Sequence, residues 1–118
     1  MTNYIRATAE HSITEGKVAE FKQLASNIID RVENTEPNTF SYEWFLCQDE
    51  SKCYVVQIYK DSNAVLFHLR NIADLLGLFH ENAPLTGLKI YGNPSVELRQ
   101  ALEPIGAQIF EYLNGVTR

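Results

Sequence analysis

The sequence has little of the material that builds disulfide, metal or membrane-spanning structures. Its 118 residues include two cysteines, Cys47 and Cys53, whose C-x5-C spacing matches neither a zinc site nor a disulfide scaffold. We therefore expect free thiols. Apolar runs such as 64–67 fall far short of the roughly 18 residues that a membrane span requires. The first residues lack the charged-then-apolar layout of a secretion signal, so the sequence predicts a cytoplasmic protein.

Basic residues and phosphate-binding loops are also scarce. Ten Lys and Arg against fifteen Asp and Glu give a net charge of −5, and no stretch collects basic residues, so nucleic acid is not an expected partner. No glycine-rich loop indicates a flavin or nicotinamide site. His11, His68 and His80 lack the i, i+3 or i+4 spacing of helical metal ligands. We therefore predict neither a metal nor a nucleotide cofactor.

Apolar and aromatic residues, by contrast, are plentiful enough for a hydrophobic core. They make up 45% and 11% of the chain and predict one folded domain over 1–118. Their periodicity predicts a strand over 4–13, a helix over 15–33 that Thr14 can cap, and a hairpin of strands over 40–48 and 53–60. A long helix from Asp61 or Ser62 to Ala83 and a strand over 87–92 are expected next. The chain then continues with a short helix opened by Asn93 and Pro94 and an apolar segment over 107–113. This order is that of an α+β ferredoxin-like βαββαβ fold with a C-terminal αβ extension.

The hairpin strands carry apolar residues on both faces. Trp44 and Phe45 point to opposite sides of the first strand, and Val55 and Val56 do so on the second. The main helices of a ferredoxin-like unit cover one face of the sheet. The other face therefore predicts a second copy of the chain, and so a homodimer.

Several short motifs occur in the order found in one protein family. They are Glu15-Gly16-Lys17 ahead of Phe21, Glu36-Pro37, Ser41-Tyr42-Glu43-Trp44, and Tyr59-Lys60-Asp61 leading into Ala64 and His68. Over about residues 4–80 the chain resembles the antibiotic biosynthesis monooxygenase domain. The resemblance implies a dimeric α+β barrel and cofactor-free oxygenation of quinols or polycyclic phenols. Some relatives degrade haem instead. This chain has Gln57 and Tyr59 where the family often has Glu and Trp.

His68 is the candidate catalytic base. A cofactor-free oxygenase must remove a proton from its substrate in a dry pocket, and an imidazole on the apolar arc of a helix can do so near neutral pH. The alternative is a hydrogen-bonded core histidine. His11 lies near the start of the first helix and His80 at the edge of the apolar arc of the second, so neither is expected at the centre of a site.

The candidate substrate-binding residues are Tyr42, Trp44, Tyr59, Asn3 and Arg6. The three aromatic residues could flank a small planar aromatic substrate, and the two polar residues could hydrogen-bond to one of its oxygens. Ordinary core aromatics and surface polar residues are the alternative interpretation. For the whole chain, the alternative to an enzyme is a non-catalytic small-ligand-binding or stress-related protein of the same dimeric fold.

Overall fold

The computed structural model describes residues 3–118 and is built around a five-stranded sheet. The elements in chain order are β1 (Ile5–Ser12), α1 (Val18–Thr35), β2 (Thr39–Leu46), β3 (Lys52–Tyr59), α2 (Ser62–Asn71), α3 (Ala73–Asn82), β4 (Leu85–Tyr91), α4 (Val96–Leu102) and β5 (Gln108–Phe110). The strand order is β2-β3-β1-β4-β5. All neighbours pair antiparallel except β4 and β5, which are parallel. The predicted α+β ferredoxin-like fold and its hairpin are confirmed.

Alternation along the central strands divides the sheet into an inner face and an outer face. On β1, Ile5, Ala7, Ala9 and His11 are buried and the residues between them are less so. The inner face continues on the neighbouring strands through aligned pairs, since Ala7 lies opposite Gln57 on β3 and Ile90 on β4. Helices α1, α2 and α3 contribute buried residues to the core over this face.

Helix α1 begins and ends at different residues from those predicted. It starts at Val18 rather than at 15, and the Thr14 side chain does not cap it; instead the Thr14 carbonyl accepts a hydrogen bond from the Lys17 amide. It ends at Thr35 because Pro37 disfavours helical torsions in the preceding residue. Glu36 is consequently extended, with φ −123° and ψ 77°.

The prediction of one long second helix is wrong, because the helix is divided at Ile72. Arg31 Nη1 donates to the Asn71 carbonyl at 2.8 Å, and its guanidinium also holds both carboxylate oxygens of Asp74. Ile72 then takes φ −105° and ψ 3°, and α3 starts at Ala73.

The C-terminal extension adds a short helix and an edge strand. Helix α4 is capped by the Ser95 hydroxyl, which accepts from the Leu98 amide at 3.1 Å, so the predicted start at Asn93 and Pro94 is wrong. The predicted apolar segment over 107–113 forms β5 over three of its residues. Within residues 3–118, no helix combines the length and apolar character needed to cross a membrane.

Candidate functional site

A cavity of about 330 Å³ lies between the inner face of the sheet and helices α2 and α3. Its volume is near the lower end of the range for small-molecule sites. Ala7 and Ala9 form part of its floor on β1, where their short side chains leave space that a larger residue would fill. Helix α3 packs against α1 while α2 packs against α4. Ile105, a lining residue that is 42% exposed, marks where the cavity reaches solvent.

His68 lines this cavity from α2 and is joined to a buried carboxylate. Its Nδ1 lies 2.9 Å and 3.0 Å from the two carboxylate oxygens of Glu36, and both residues are 4% exposed. Asp61, whose side chain accepts from the Ala64 amide, starts the helix that carries His68. His68 itself lies in the last turn of α2, where the helix dipole favours a positive charge.

The carboxylate of Glu36 is saturated with hydrogen-bond donors. Besides His68, it accepts from Asn71 Nδ2 at 2.8 Å and from Thr39 Oγ1 at 2.6 Å. Burial alone would raise its pKa, but the hydrogen bonds from His68, Asn71 and Thr39 outweigh burial and lower the pKa below the ordinary value. Glu36 is therefore ionised at neutral pH.

An ionised Glu36 determines which nitrogen of His68 is free. A carboxylate can only accept, so Nδ1 carries the proton that it donates. No group within residues 3–118 hydrogen-bonds to Nε2, and in the neutral ring Nε2 is then an acceptor at the cavity wall. A buried base with a fixed tautomer and a carboxylate behind it is the arrangement used for general-base catalysis.

The candidate residues Tyr42 and Trp44 lie beside His68 and on the same side of β2. The Tyr42 ring is 5.0 Å from the His68 ring and 5.9 Å from that of Trp44, measured between centroids, and both aromatic side chains line the cavity. Burial, followed by the nearby charge of Glu36, raises the pKa of Tyr42, so its hydroxyl stays protonated. The Trp44 indole N–H is a buried donor without a protein partner in the described chain.

The third aromatic candidate, Tyr59, also lines the cavity but has its hydroxyl occupied. It is fully buried, with its ring 5.5 Å from that of His68, and it donates to Gln57 Oε1. Gln57 and Tyr59 stand where the family often has Glu and Trp. Here the two side chains form one uncharged hydrogen-bonded unit beside His68.

His11 and His80, which were not expected to be central, line the other end of the cavity. His11 is 6% exposed, and its Nδ1 lies 3.1 Å from the Ala83 carbonyl oxygen. Its ring stacks on that of His80 at 5.7 Å and meets Phe79 edge-on at 5.0 Å. Period-2 alternation on β1 was the available signal for His11, since it shares the face of Ala7 and Ala9.

Asn3 and Arg6 lie elsewhere. They border a hollow of about 700 Å³ formed with the C-terminal tail, and Arg6 packs over the Tyr4 ring at 5.9 Å. That hollow is the larger of the two, but its rim is the exposed tail, in which Leu113 is 95% exposed, so it does not exclude water. The structure therefore does not bring Asn3 and Arg6 together with His68.

The remaining candidate chemistry involves metals and thiols. No three His, Cys, Asp or Glu side chains in the described range 3–118 are arranged to hold a metal ion. The two cysteines are free, as predicted, and the structure shows Cys47 exposed and Cys53 buried. Burial raises the pKa of the Cys53 thiol to about 11, which keeps it protonated and unreactive.

The fold and the site together define an α+β ferredoxin-like protein with a cavity beside a buried His–Glu pair. The family model for antibiotic biosynthesis monooxygenase matches residues 4–73, which include Glu36, Tyr42, Trp44 and His68. The chain belongs to this family. No curated protein matches its sequence.

Solved structures share the fold at low sequence identity. MupZ from Pseudomonas fluorescens is 23% identical, with a TM-score of 0.88 over 100% of this chain and 91% of that one. A conserved protein from Methanosarcina mazei is 20% identical, with a TM-score of 0.68 over 76% of this chain and 92% of its own. SnoaB, a cofactor-independent oxygenase from Streptomyces nogalater, is 12% identical, with a TM-score of 0.64 over 73% and 90%. The MupZ likeness extends through the C-terminal extension.

Proposed function

We propose that the chain is a cofactor-independent monooxygenase that acts on a quinol or a polycyclic phenol. The observation that carries this proposal is the His68–Glu36 pair, with Nε2 of His68 free at the wall of an apolar, aromatic cavity. Family membership and the fold shared with SnoaB support the reaction class.

The first step is removal of the phenolic proton. His68 Nε2 takes it, and the resulting imidazolium is stabilised by the Glu36 carboxylate at Nδ1. The anion left on the substrate is stabilised by a neutral donor nearby, the Tyr42 hydroxyl. The lining is mostly apolar, and the low local dielectric strengthens these interactions.

The deprotonated ring is then electron-rich enough to reduce dioxygen. Oxygen adds to a ring carbon that carries a hydrogen and lies ortho or para to the phenolate carbon, and with the proton returned by His68 it gives a hydroperoxide. Loss of the hydrogen on that carbon with cleavage of the O–O bond leaves a carbonyl and water. One oxygen atom enters the product and the other leaves as water, while the substrate supplies two hydrogens and all four electrons.

The cavity walls suit a flat substrate. The rings of Tyr42 and Trp44 lie 5.9 Å apart and both line the cavity, as does Tyr59, whose ring is 5.5 Å from that of His68. Offset stacking on such rings favours planar aromatic ligands. Asn3 and Arg6 border the separate hollow and have no part in this reaction.

A homodimer formed through the outer face of the sheet completes the proposal. Phe45, Tyr54 and Val56 project from that face and are 54%, 44% and 37% exposed. Contiguous exposed apolar residues of this kind are typical of interfaces. Sedimentation of wild type at micromolar concentration should show twice the 13.5 kDa chain mass. Val56→Lys should give the monomer, whereas Leu78→Lys, on an exposed residue of α3, should not. A monomeric wild type would contradict the dimer.

Oxygen uptake tests the reaction. Purified protein, treated with chelator and free of flavin, is mixed in an oxygen electrode with a tricyclic quinol that carries a hydrogen ortho to a hydroxyl, and the product is analysed after reaction in labelled dioxygen. We expect one oxygen consumed for each quinone formed, with one labelled atom in the product. Ligand binding without enzyme-dependent oxygen uptake would contradict the proposal and favour a binding protein.

A further inference from the structure

The second histidine of the cavity is held in a defined state. A backbone carbonyl can only accept, so the 3.1 Å contact with Ala83 places the proton of the neutral ring on Nδ1 of His11. Burial lowers the pKa of His11 to about 4, with a smaller lowering from the neighbouring His80 against the effect of the Ala83 bond. At neutral pH the ring is therefore uncharged.

The other nitrogen of His11 has no protein partner. Within residues 3–118 nothing hydrogen-bonds to Nε2, yet the ring lines the cavity and Nε2 is not among the sealed polar atoms. The ring cannot turn freely, since Phe79 and His80 pack on it. His11 thus offers a fixed, uncharged hydrogen-bond acceptor at its end of the cavity.

The distance between the His68 end and the His11 end of the cavity follows from the geometry of the strands. His68 lies over the row that contains Tyr42, Gln57 and Ala7, while His11 is four residues further along β1. At about 3.3 Å per residue these rows are about 13 Å apart. Between them the floor is Ala7 and Ala9, and no polar group of β1 interrupts it. This length suits three linearly fused rings with a hydroxyl at either end.

The geometry points to His11 as a specificity-determining residue whose Nε2 accepts a hydrogen bond from a hydroxyl on the ring of the substrate farthest from His68. This inference rests on the proposed function, because it assigns the substrate's orientation from the position of the reacting end. It narrows the substrate class to elongated polycyclic phenols with a remote hydroxyl.

A matched pair of ligands tests the inference. Two tricyclic quinols that differ only in a hydroxyl on the ring remote from the quinol are titrated anaerobically, and the fluorescence of Trp44, the single tryptophan, reports binding. Wild type should bind the compound with the remote hydroxyl roughly tenfold more tightly. In His11→Leu that ratio should fall to about one, while affinity for the other compound changes little.

A second variant distinguishes the loss of the hydrogen-bond acceptor from misfolding of the protein. His11→Gln keeps an acceptor oxygen and should retain part of the ratio, and melting temperatures are measured for every variant. Equal binding of the two quinols by wild type, or an unchanged ratio in His11→Leu, would overturn the role of His11. Oxygen uptake with either quinol would in that case leave the proposed function intact. Failure of wild type to bind either quinol would overturn both.

Discussion

His68 and His11 lie at opposite ends of one cavity, and each ring is held through Nδ1 by an oxygen of the protein. The oxygen belongs to the Glu36 carboxylate in one case and to the Ala83 carbonyl in the other. A carboxylate stabilises the ring once it has gained a proton, whereas a carbonyl in a buried site leaves it neutral. The comparison shows how the charge of the Nδ1 partner can give the same side chain two roles, a base and a recognition group.

The substitution with the largest expected effect removes the base. His68→Gln preserves size and hydrogen bonding to Glu36 but cannot take a proton near pH 7, so turnover should fall by roughly 10²- to 10⁴-fold. His11→Gln, the matched change at the other end, should lower turnover on a quinol without the remote hydroxyl by less than about threefold. Steady-state oxygen uptake measures both. Equal losses would show that the two histidines do not differ in role.

Next in size is the loss of the charge behind His68. Glu36→Gln removes stabilisation of the imidazolium and presents an amide N–H to donors such as Asn71, so turnover should fall by about ten- to a hundredfold. The control is Glu33→Gln, the same change at an exposed position of α1, which should leave turnover unchanged. Wild-type rates in Glu36→Gln would mean that His68 works without its carboxylate.

Filling the floor of the cavity between His68 and His11 should weaken substrate binding. Ala9→Leu places a larger side chain in the cavity, and we expect affinity for a tricyclic quinol to drop by roughly tenfold. The same change at Ala73, exposed on α3, serves as control. Tryptophan fluorescence titration measures both. Unaltered binding in Ala9→Leu would place the ligand outside this cavity.

The smallest expected effect is the acid sensitivity contributed by His11. The unfolded chain protonates this residue below pH 6.5, but the folded chain does so only near pH 4, so the free energy of unfolding decreases as pH falls. Between pH 7 and 5.5 this contribution is about 1 kcal/mol. Urea titrations of wild type and His11→Gln should differ by that amount in their pH dependence, since Glu36 affects both proteins alike. Parallel profiles would contradict a neutral, buried His11.

Local patterns were sufficient to predict most of the fold. Alternation over 4–13 and the turn between the hairpin strands specify β1, β2 and β3, because these signals depend on near neighbours in sequence. The division at Ile72 could not be predicted in this way. It depends on Arg31, which reaches Asn71 from 40 residues away, and no proline or glycine marks the break.

The candidate site was predictable only in part for the same reason. His68, Tyr42 and Trp44 were selected by their positions on an apolar helix arc and on one strand face. Glu36 was noted as part of a motif, but its contact with His68 spans 32 residues and follows from the way Pro37 ends α1. The contact between His11 and Ala83 spans 72 residues, so the position of His11 in the sequence did not show its place in the cavity.

The protonation state of a bound ligand tests the central claim most directly. A quinol whose phenolate absorbs at longer wavelength than its phenol is bound anaerobically to wild type and to His68→Gln, at a pH below the ligand's own pKa. We predict the phenolate band in wild type and the neutral phenol spectrum in His68→Gln, with binding confirmed for both by Trp44 fluorescence. A neutral ligand in wild type, or a phenolate in both proteins, would contradict the assignment of His68 as the base.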